Sequence, residues 1–328
     1  MVRETSPEER SLAIRAAWLS YLGGYTQSQI AERLGVSPAK VHRLIAAAHQ
    51  AGSVKVFVDG TPAECVALED RLKAAFALSH CIVAPDLGEE GGDFAAVATA
   101  AARFLIRSVE RDPAQVIGVG HGRTLAALAD RLPRQSWPQV RFVSLLGGLT
   151  RRAATNPFGV VHHLAERCGG EGYFLPVPFI ADSVADKQVL MAQKIVRDVI
   201  ELSDSCRLVL AGIGELGPSA HMLVSGMITR EEYEALKAAG AVGDVFGRFF
   251  DAEGRFVACE INQRSCGVEL EALRGREVVA VAGGEAKTQA ILGALRSGLL
   301  RGLITDERTA GRLLGLMEAS PGIREAVT

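Results

Sequence analysis

The sequence predicts an α/β protein in two parts: an N-terminal all-α helix-turn-helix module and a larger, doubly wound, mainly parallel α/β domain. Three observations carry this expectation. Residues 25–50 read as two short capped helices around a glycine. Beyond residue 78, short apolar, β-rich runs alternate with helical stretches, the rhythm of strands buried on both faces and joined by helices. Between the two parts, Asp59-Gly60-Thr61-Pro62 breaks the pattern, so residues 1–58 form one domain and 59–328 the other.

Residues 1–10 read as frayed and Ser11 to Leu22 as a first helix, with Leu12, Ala16, Leu19 and Leu22 on one side. Thr26 caps the next helix, and Gln29 completes a capping box with it. Ile30, Ala31 and Leu34 share one face, and Gly35 suits a turn that needs a positive φ. Ser37 and Pro38 then cap and open the following helix. Val41, Leu44 and Ile45 face back, which leaves Pro38, Ala39, Lys40, His42 and Arg43 outward near the helix start. That is the end of a recognition helix that enters a major groove. Lys40 and Arg43 reach phosphates or guanine edges, and His42 hydrogen-bonds either. With Thr26, Gln27 and Ser37 beside them, these are the candidate contacts to double-stranded DNA. A generic αα-hairpin shares the caps and the seam; the preceding apolar helix, the N-terminal position and the long remaining chain favour the DNA reader.

Val54, Val56 and Val58 alternate as an extended edge, and Glu64 to Leu78 is the next helix. Strands are then expected at 81–85, 116–120, 141–148, 173–177, 207–214, 277–284 and 302–306, several of them ending in glycine. Between Val242 and Asn262 a β-hairpin is expected to interrupt this order, turning at Ala252-Glu253-Gly254.

The 328 residues are 48% hydrophobic and 23% charged, ordinary globular values. Net charge is −2, but residues 1–55 hold seven Lys/Arg against four acids, a mild surplus that suits a module working in pairs. The six cysteines include no C-x-x-C pair, so neither a metal site nor a disulfide framework is expected. The polar N-terminus lacks a signal-peptide pattern, and no run of about 20 apolar residues occurs. A cytoplasmic protein without membrane contact is expected.

In open α/β sheets ligands bind where strands end, so the glycine-rich loops are the candidate site. GVGHGRT (118–124) joins a buried strand to a helix, where backbone N–H groups form an anion site; such loops also serve packing. It is neither a Walker A loop nor the dinucleotide fingerprint, because no G-K-[ST] follows and position 123 is Arg. AGIG (211–214) and AGGEAK (282–287) repeat the theme, with Lys287 at a helix start, either on a phosphate or free in solvent. LLGGLTRRAATNP (145–157) adds Gly148, Thr150, Arg151 and Asn156, and Asp244 can accept hydroxyls of a polyol or serve as a turn residue. His162 and His163 point apart on a helix and make no metal pair, and no G-x-S-x-G elbow marks a nucleophile. No catalytic residue is assigned.

With these residues assembled, the chain resembles the SorC family of bacterial sugar-responsive transcriptional regulators over residues 11–318. The marks are YTQSQIAERLGVSPAKVHRLI, VIGVGHGRTL, LLGGLTR with NP nearby, LPVPFIADS, GIG followed by SGMI, AVGDVFGRFFDAEG, VAVAGGEAK and GLITDERTA. The resemblance implies a winged-like helix-turn-helix module and an effector-binding, oligomerising domain related in fold to sugar-phosphate isomerases and deaminases. It implies a homo-oligomer, dimer or tetramer, that leaves or rearranges on operator DNA when a phosphorylated sugar binds. Carried over by position, Gly120, Gly122, Arg123 and Thr124 would be the phosphate loop, Asp244 the acidic position and Lys287 the basic one; with His121, Gly148, Thr150, Asn156, Gly212 and Gly214 from the loop reading, they are the candidate effector site. The match is closest to members that control polyol catabolism, such as erythritol use, although His121 stands where many members have Trp. The expected function is a repressor of a sugar or polyol operon, with a phosphorylated sugar or polyol as effector and no cofactor. The alternative is an enzyme acting on sugar phosphates with an accessory DNA-binding module.

Overall fold

The computed structural model describes residues 6–54, 61–88, 94–149, 159–217 and 220–319. The chain divides into two compact units, Met1–Val58 and Asp59–Thr328.

The first unit holds α1 (Pro7–Tyr21), α2 (Gln27–Leu34) and α3 (Pro38–Gln50). α1 begins a turn earlier than expected. Ser6 accepts a hydrogen bond from the Glu9 N–H, Pro7 opens the helix, and Glu8 and Glu9 sit at its positive end, a start signal the sequence reading passed over. The expected inner face of α1 is also shifted: Ala13, Ala16 and Ala17 are buried, whereas Leu22 is 71% exposed. The core closes with Ile30, Ala31, Val41, Leu44 and Ala48. Of the expected edge after α3, Lys55 to Val58 lie outside the described residues.

The second unit runs α4 (Ala63–Phe76), β1 (His80–Ala84), α5 (Phe94–Arg111), β2 (Val116–Val119), α6 (Arg123–Arg131), β3 (Arg141–Leu149), α7 (Val160–Cys168) and β4 (Glu171–Pro178). It continues α8 (Val184–Met191), α9 (Lys194–Asp204), β5 (Leu208–Ala211), β6 (Ile213–Glu215), α10 (His221–Val224), α11 (Arg230–Ala238), β7 (Ala241–Val245) and β8 (Arg248–Asp251). It ends with α12 (Glu260–Arg264), β9 (Glu277–Val281), α13 (Thr288–Arg296), β10 (Gly302–Asp306) and α14 (Glu307–Glu318).

Seven strands form one parallel sheet in the order β1-β10-β9-β5-β2-β3-β4. All seven expected runs supply a strand. β2, β5 and β10 are buried at every residue, as strands covered on both faces must be. The chain steps outward from β2 to β3 and β4, then returns to β5 on the other side of β2. This reversal opens a crevice above the carboxyl ends of β2 and β5, the place where such sheets bind ligands.

Two expectations need correction. The run 207–214 is not one strand: it leaves the parallel sheet at Gly212, and β6 joins β7 and β8 in a separate antiparallel sheet. The segment expected to hold one hairpin holds two turns: besides the expected one at Ala252–Gly254, β7 and β8 turn at Phe246-Gly247, with φ of 50° and 71°. Two consecutive positive φ values are what a tight two-residue turn between twisted strands demands. The sequence places glycine at only one of them, which hid the turn. Ala252–Gly254 makes a second bend, closed by a bridge between Phe250 and Phe256.

Candidate functional site: a DNA-reading face and a polar cleft

In the first unit, local hydrogen bonds finish each helix end. The Thr26–Gln29 capping box is present in both directions, at 3.4 Å and 2.9 Å. Gly35 adopts φ 62°, and the chain then enters α3 through Ser37, whose Oγ accepts from Lys40 N–H at 3.3 Å. Val41, Leu44 and Ala48 are buried, while Thr26, Gln27, Ser37, Pro38, Ala39, His42 and Arg43 are exposed and Lys40 is partly so. The candidate DNA contacts therefore form one solvent-facing surface around the start of α3. Two contacts escaped the sequence reading. Arg33 lies over the Tyr25 ring at 4.1 Å, and Tyr21 Oη meets His49 Nε2 at 2.5 Å, tying the end of α1 to the end of α3.

In the second unit, a cleft of about 100 Å³ lies above the crevice between β2 and β5. Its backbone floor is tight. Gly120 N–H donates to Leu210 O at 2.8 Å, and a Cβ on Gly212 would strike the His121 carbonyl. Gly214 is likewise pressed against the Asp244 carboxylate, its partner across β6 and β7. These glycines are needed for close approach rather than for unusual torsions. Gly122 is different: at φ 131° it opens α6 without any side-chain cap, so the first N–H groups of that helix lack a capping side chain.

Cationic groups gather at that end. Arg123 starts α6, and Lys287 arrives from the loop after β9. That loop is fixed by buried Asp306, which accepts from Gly284 N–H at 2.9 Å and from Thr309 Oγ1 at 2.7 Å. Lys287 is enclosed, not free in solvent: its Nζ donates to Ile213 O at 2.9 Å. Burial first, then Arg123, lowers its pKa from the usual lysine range. Both cations also lie near one aromatic face, at 5.7 Å and 6.0 Å from the Phe94 ring centre. His221 joins them, its pKa lowered by burial and then by Arg123 and Lys287. Beside these groups Thr124 is 2% exposed, and its Oγ1 has no hydrogen-bond partner among the described residues. An unpaired buried hydroxyl costs about 1–3 kcal/mol, so this side chain is left unsatisfied in the cleft wall.

Acceptors line the same cleft, close enough to Lys287 to act on its charge. Asp244 is enclosed, and burial raises its carboxyl to about 6 against the opposing effects of Gly247 N–H and Lys287. Glu215 lines the same wall. Burial holds His121 at about 4, hence neutral at pH 7. Ser144 Oγ donates to Leu146 O at 2.8 Å, so its 3.4 Å contact with His121 Nε2 is made with the ring donating. That assigns the Nε2–H tautomer and leaves Nδ1 as an acceptor. Phe246, Phe179, Met222 and Met227 supply apolar walls.

Nine of the expected effector residues line this cleft: Gly120, His121, Gly122, Arg123, Thr124, Gly212, Gly214, Asp244 and Lys287. Gly148 does not, although Leu146 of the same strand does. Thr150 and Asn156 lie outside the described residues. Glu215, His221 and Phe246 were missed, although each sits within or beside a quoted motif. No group of three metal-ligating side chains occurs among the described residues, and no described helix is long and apolar enough to cross a membrane.

Comparison with known proteins agrees with this architecture. The family model described as "Putative sugar-binding domain" matches residues 61–315. The erythritol catabolism regulatory protein EryD of Brucella abortus is 46% identical over 305 residues, covering 93% of this chain and 96% of the relative. The transcriptional regulator LsrR of Escherichia coli K12 is 33% identical over 314 residues, covering 94% and 95%. Among solved structures, the full-length sorbitol operon regulator SorC from Klebsiella pneumoniae superposes with TM-score 0.69 at 27% identity, covering 94% of this chain and 99% of that one. The motif order, the two units and these relatives agree: the chain belongs to the SorC family of sugar-binding transcriptional regulators.

Proposed function

We propose that the chain represses a sugar or polyol catabolic operon by holding operator DNA through α2 and α3, and that a small phosphorylated sugar or polyol in the cleft weakens that hold. The observation that carries the effector reading is the start of α6. There an uncapped helix end, an unpartnered Thr124 hydroxyl, Arg123 and Lys287 converge, a set of donors that suits a phosphate. Asp244 and the Nδ1 of His121, in the same cleft, suit the effector's hydroxyls. The name of the 46% identical relative, an erythritol catabolism regulator, and the small cavity both support an effector of few carbons.

Two copies would place their α3 helices on successive turns of a near-palindromic site, about 34–36 Å apart. Near-complete switching needs about 5.5 kcal/mol of differential effector binding between the two arrangements. The donors at α6 supply part of this and coupling between subunits the rest. The test is fluorescence anisotropy on duplex DNA from directly upstream of the gene, at fixed salt, with phosphorylated sugars and polyols titrated in. Release by one phosphorylated compound, and not by its unphosphorylated form, is expected. Tight binding that ignores every compound would remove the effector reading and leave the DNA reader. Turnover of a compound without specific DNA binding would replace both with an enzyme.

A further inference from the structure

α1 packs Leu12 and Leu19 against the core but holds four other large side chains, at its end and on its far side, in solvent. The face toward α3 is buried through Ala13, Ala16 and Ala17, whereas Ile14, Trp18, Tyr21 and Leu22 are 38%, 63%, 48% and 71% exposed. A helix that only closes one small core needs no tryptophan on its far side. We propose that this stripe is a pairing surface, on which the α1 helices of two copies of this chain cross antiparallel with Trp18 at the two-fold axis.

Three features argue for a second copy as the occupant. Ser11, Ile14, Trp18 and Tyr21 follow a 3-4-3 spacing, that of a helix–helix seam rather than a scatter of surface residues. The stripe is self-complementary about Trp18, as a two-fold contact requires. Ile14 falls opposite the partner's Leu22, and Arg15 falls opposite the partner's Tyr21, whose ring attracts a guanidinium. No acid lies between Arg10 and Leu22, and in this register neither arginine meets its own copy. Tyr21 is already held in place by His49, with ring centres 5.4 Å apart in edge-on contact.

The stripe covers roughly 400 Å² a side, about half of a standard interface. Pairing is therefore weak for free modules and becomes effective when the chains are already tethered or share one DNA duplex. The benefit of pairing rests on the DNA-reading proposal, because a symmetric operator needs two recognition helices on one axis. The surface itself does not.

The test uses full-length Trp18→Cys, with Glu32→Cys on the exposed face of α2 as control, oxidised with and without the upstream duplex. Five of the six native cysteines are buried and the sixth is half-buried, so background linkage is low. Cysteines at a two-fold axis come within the roughly 4.4–6.8 Å Cα separation a disulfide needs. A disulfide-linked pair in much higher yield from Trp18→Cys than from the control is expected. Equal yields would overturn the proposal. A second variant, Trp18→Arg, places like charges at the axis of an otherwise intact module. It should lose more than about tenfold in affinity for the two-half-site duplex while keeping wild-type affinity for a single half-site. Equal loss on both duplexes, or none, would also overturn it. Linkage by Trp18→Cys in a protein that reads no specific DNA would uphold the pairing and remove the DNA reading instead.

Discussion

The starts of α3 and α6 are the same kind of object put to opposite uses. At α3, Ser37 caps the helix, Pro38 opens it, and the working groups are side chains held out to solvent. At α6, glycine stands where the cap would be, the backbone N–H groups lack a capping side chain, and Thr124 is buried with its hydroxyl unpaired. On the proposed function the first end, complete in itself, would meet a large polyanion from outside, and the second would be completed by a small ligand that enters. A helix end satisfied by its own sequence displays chemistry; one left unsatisfied receives it.

The largest test of this contrast removes each of two arginines in turn. Arg123→Ala should weaken the effector by tenfold or more, on the order of the 1.5–3 kcal/mol of a hydrogen bond to a charged group. Operator affinity without effector should stay within about twofold of wild type, because Arg123 is not on the DNA-reading face. Arg43→Ala should do the reverse, lowering operator affinity by about tenfold or more and leaving the effector affinity alone. Anisotropy and calorimetry on the same preparations separate the two. An Arg123→Ala protein that binds operator poorly but retains full effector affinity would collapse the distinction.

The same contrast explains what the sequence disclosed. The helix-turn-helix and its exposed face were legible because caps, glycine turn and outward side chains lie within residues 26–43, where helical spacing alone sorts inside from outside. The inner strands were legible because full burial leaves unbroken apolar runs, as in β2, β5 and β10. The cleft was legible only through its glycines and the family pattern, since its walls come from distant segments. Asp244 faces Gly214 through strand pairing, and Lys287 reaches Ile213 from the end of another strand. His221 and Glu215 join them only in three dimensions. The positive φ of Phe246 could not be read, because tertiary packing rather than the residue's own preference holds it there. Leu22 was placed inward on spacing alone, although the narrow alanine face beside it was the one that α3 could approach.

pH sharpens the comparison inside the cleft. His121 is held at about 4, so the folded protein binds this proton more weakly than the unfolded chain does. Its contribution to stability is full above about 6.5 and is lost as pH falls toward 4. Asp244, raised to about 6, behaves oppositely: its burial penalty is absent at low pH and grows as pH rises from about 4 through 6. His121→Asn should therefore lose less stability than wild type between pH 7 and 4.5, by on the order of 2 kcal/mol in urea midpoints. Asp244→Asn should lose more over the same interval, because it forgoes the relief that protonation gives. Identical pH profiles for all three proteins would mean that the cleft is wetter than its enclosure indicates.

The smallest effect bears most directly on the two helix ends. Ser37→Ala removes a satisfied cap and should destabilise the first unit by about 1 kcal/mol. Thr124→Val removes a hydroxyl that has no partner and keeps the shape of the side chain, so the effector-free protein should be unchanged or stabilised by up to about 1 kcal/mol. The gain should reverse with effector present: the wild type should show the larger ligand-induced rise in melting temperature, because only it offers the Thr124 oxygen to the ligand. Thermal scans of both variants with and without the compound that releases the operator decide this. A Thr124→Val protein destabilised as much as Ser37→Ala would show that the hydroxyl is already satisfied. The start of α6 would then be as complete as that of α3, and the cleft would have to draw its affinity from Arg123 and Lys287 alone.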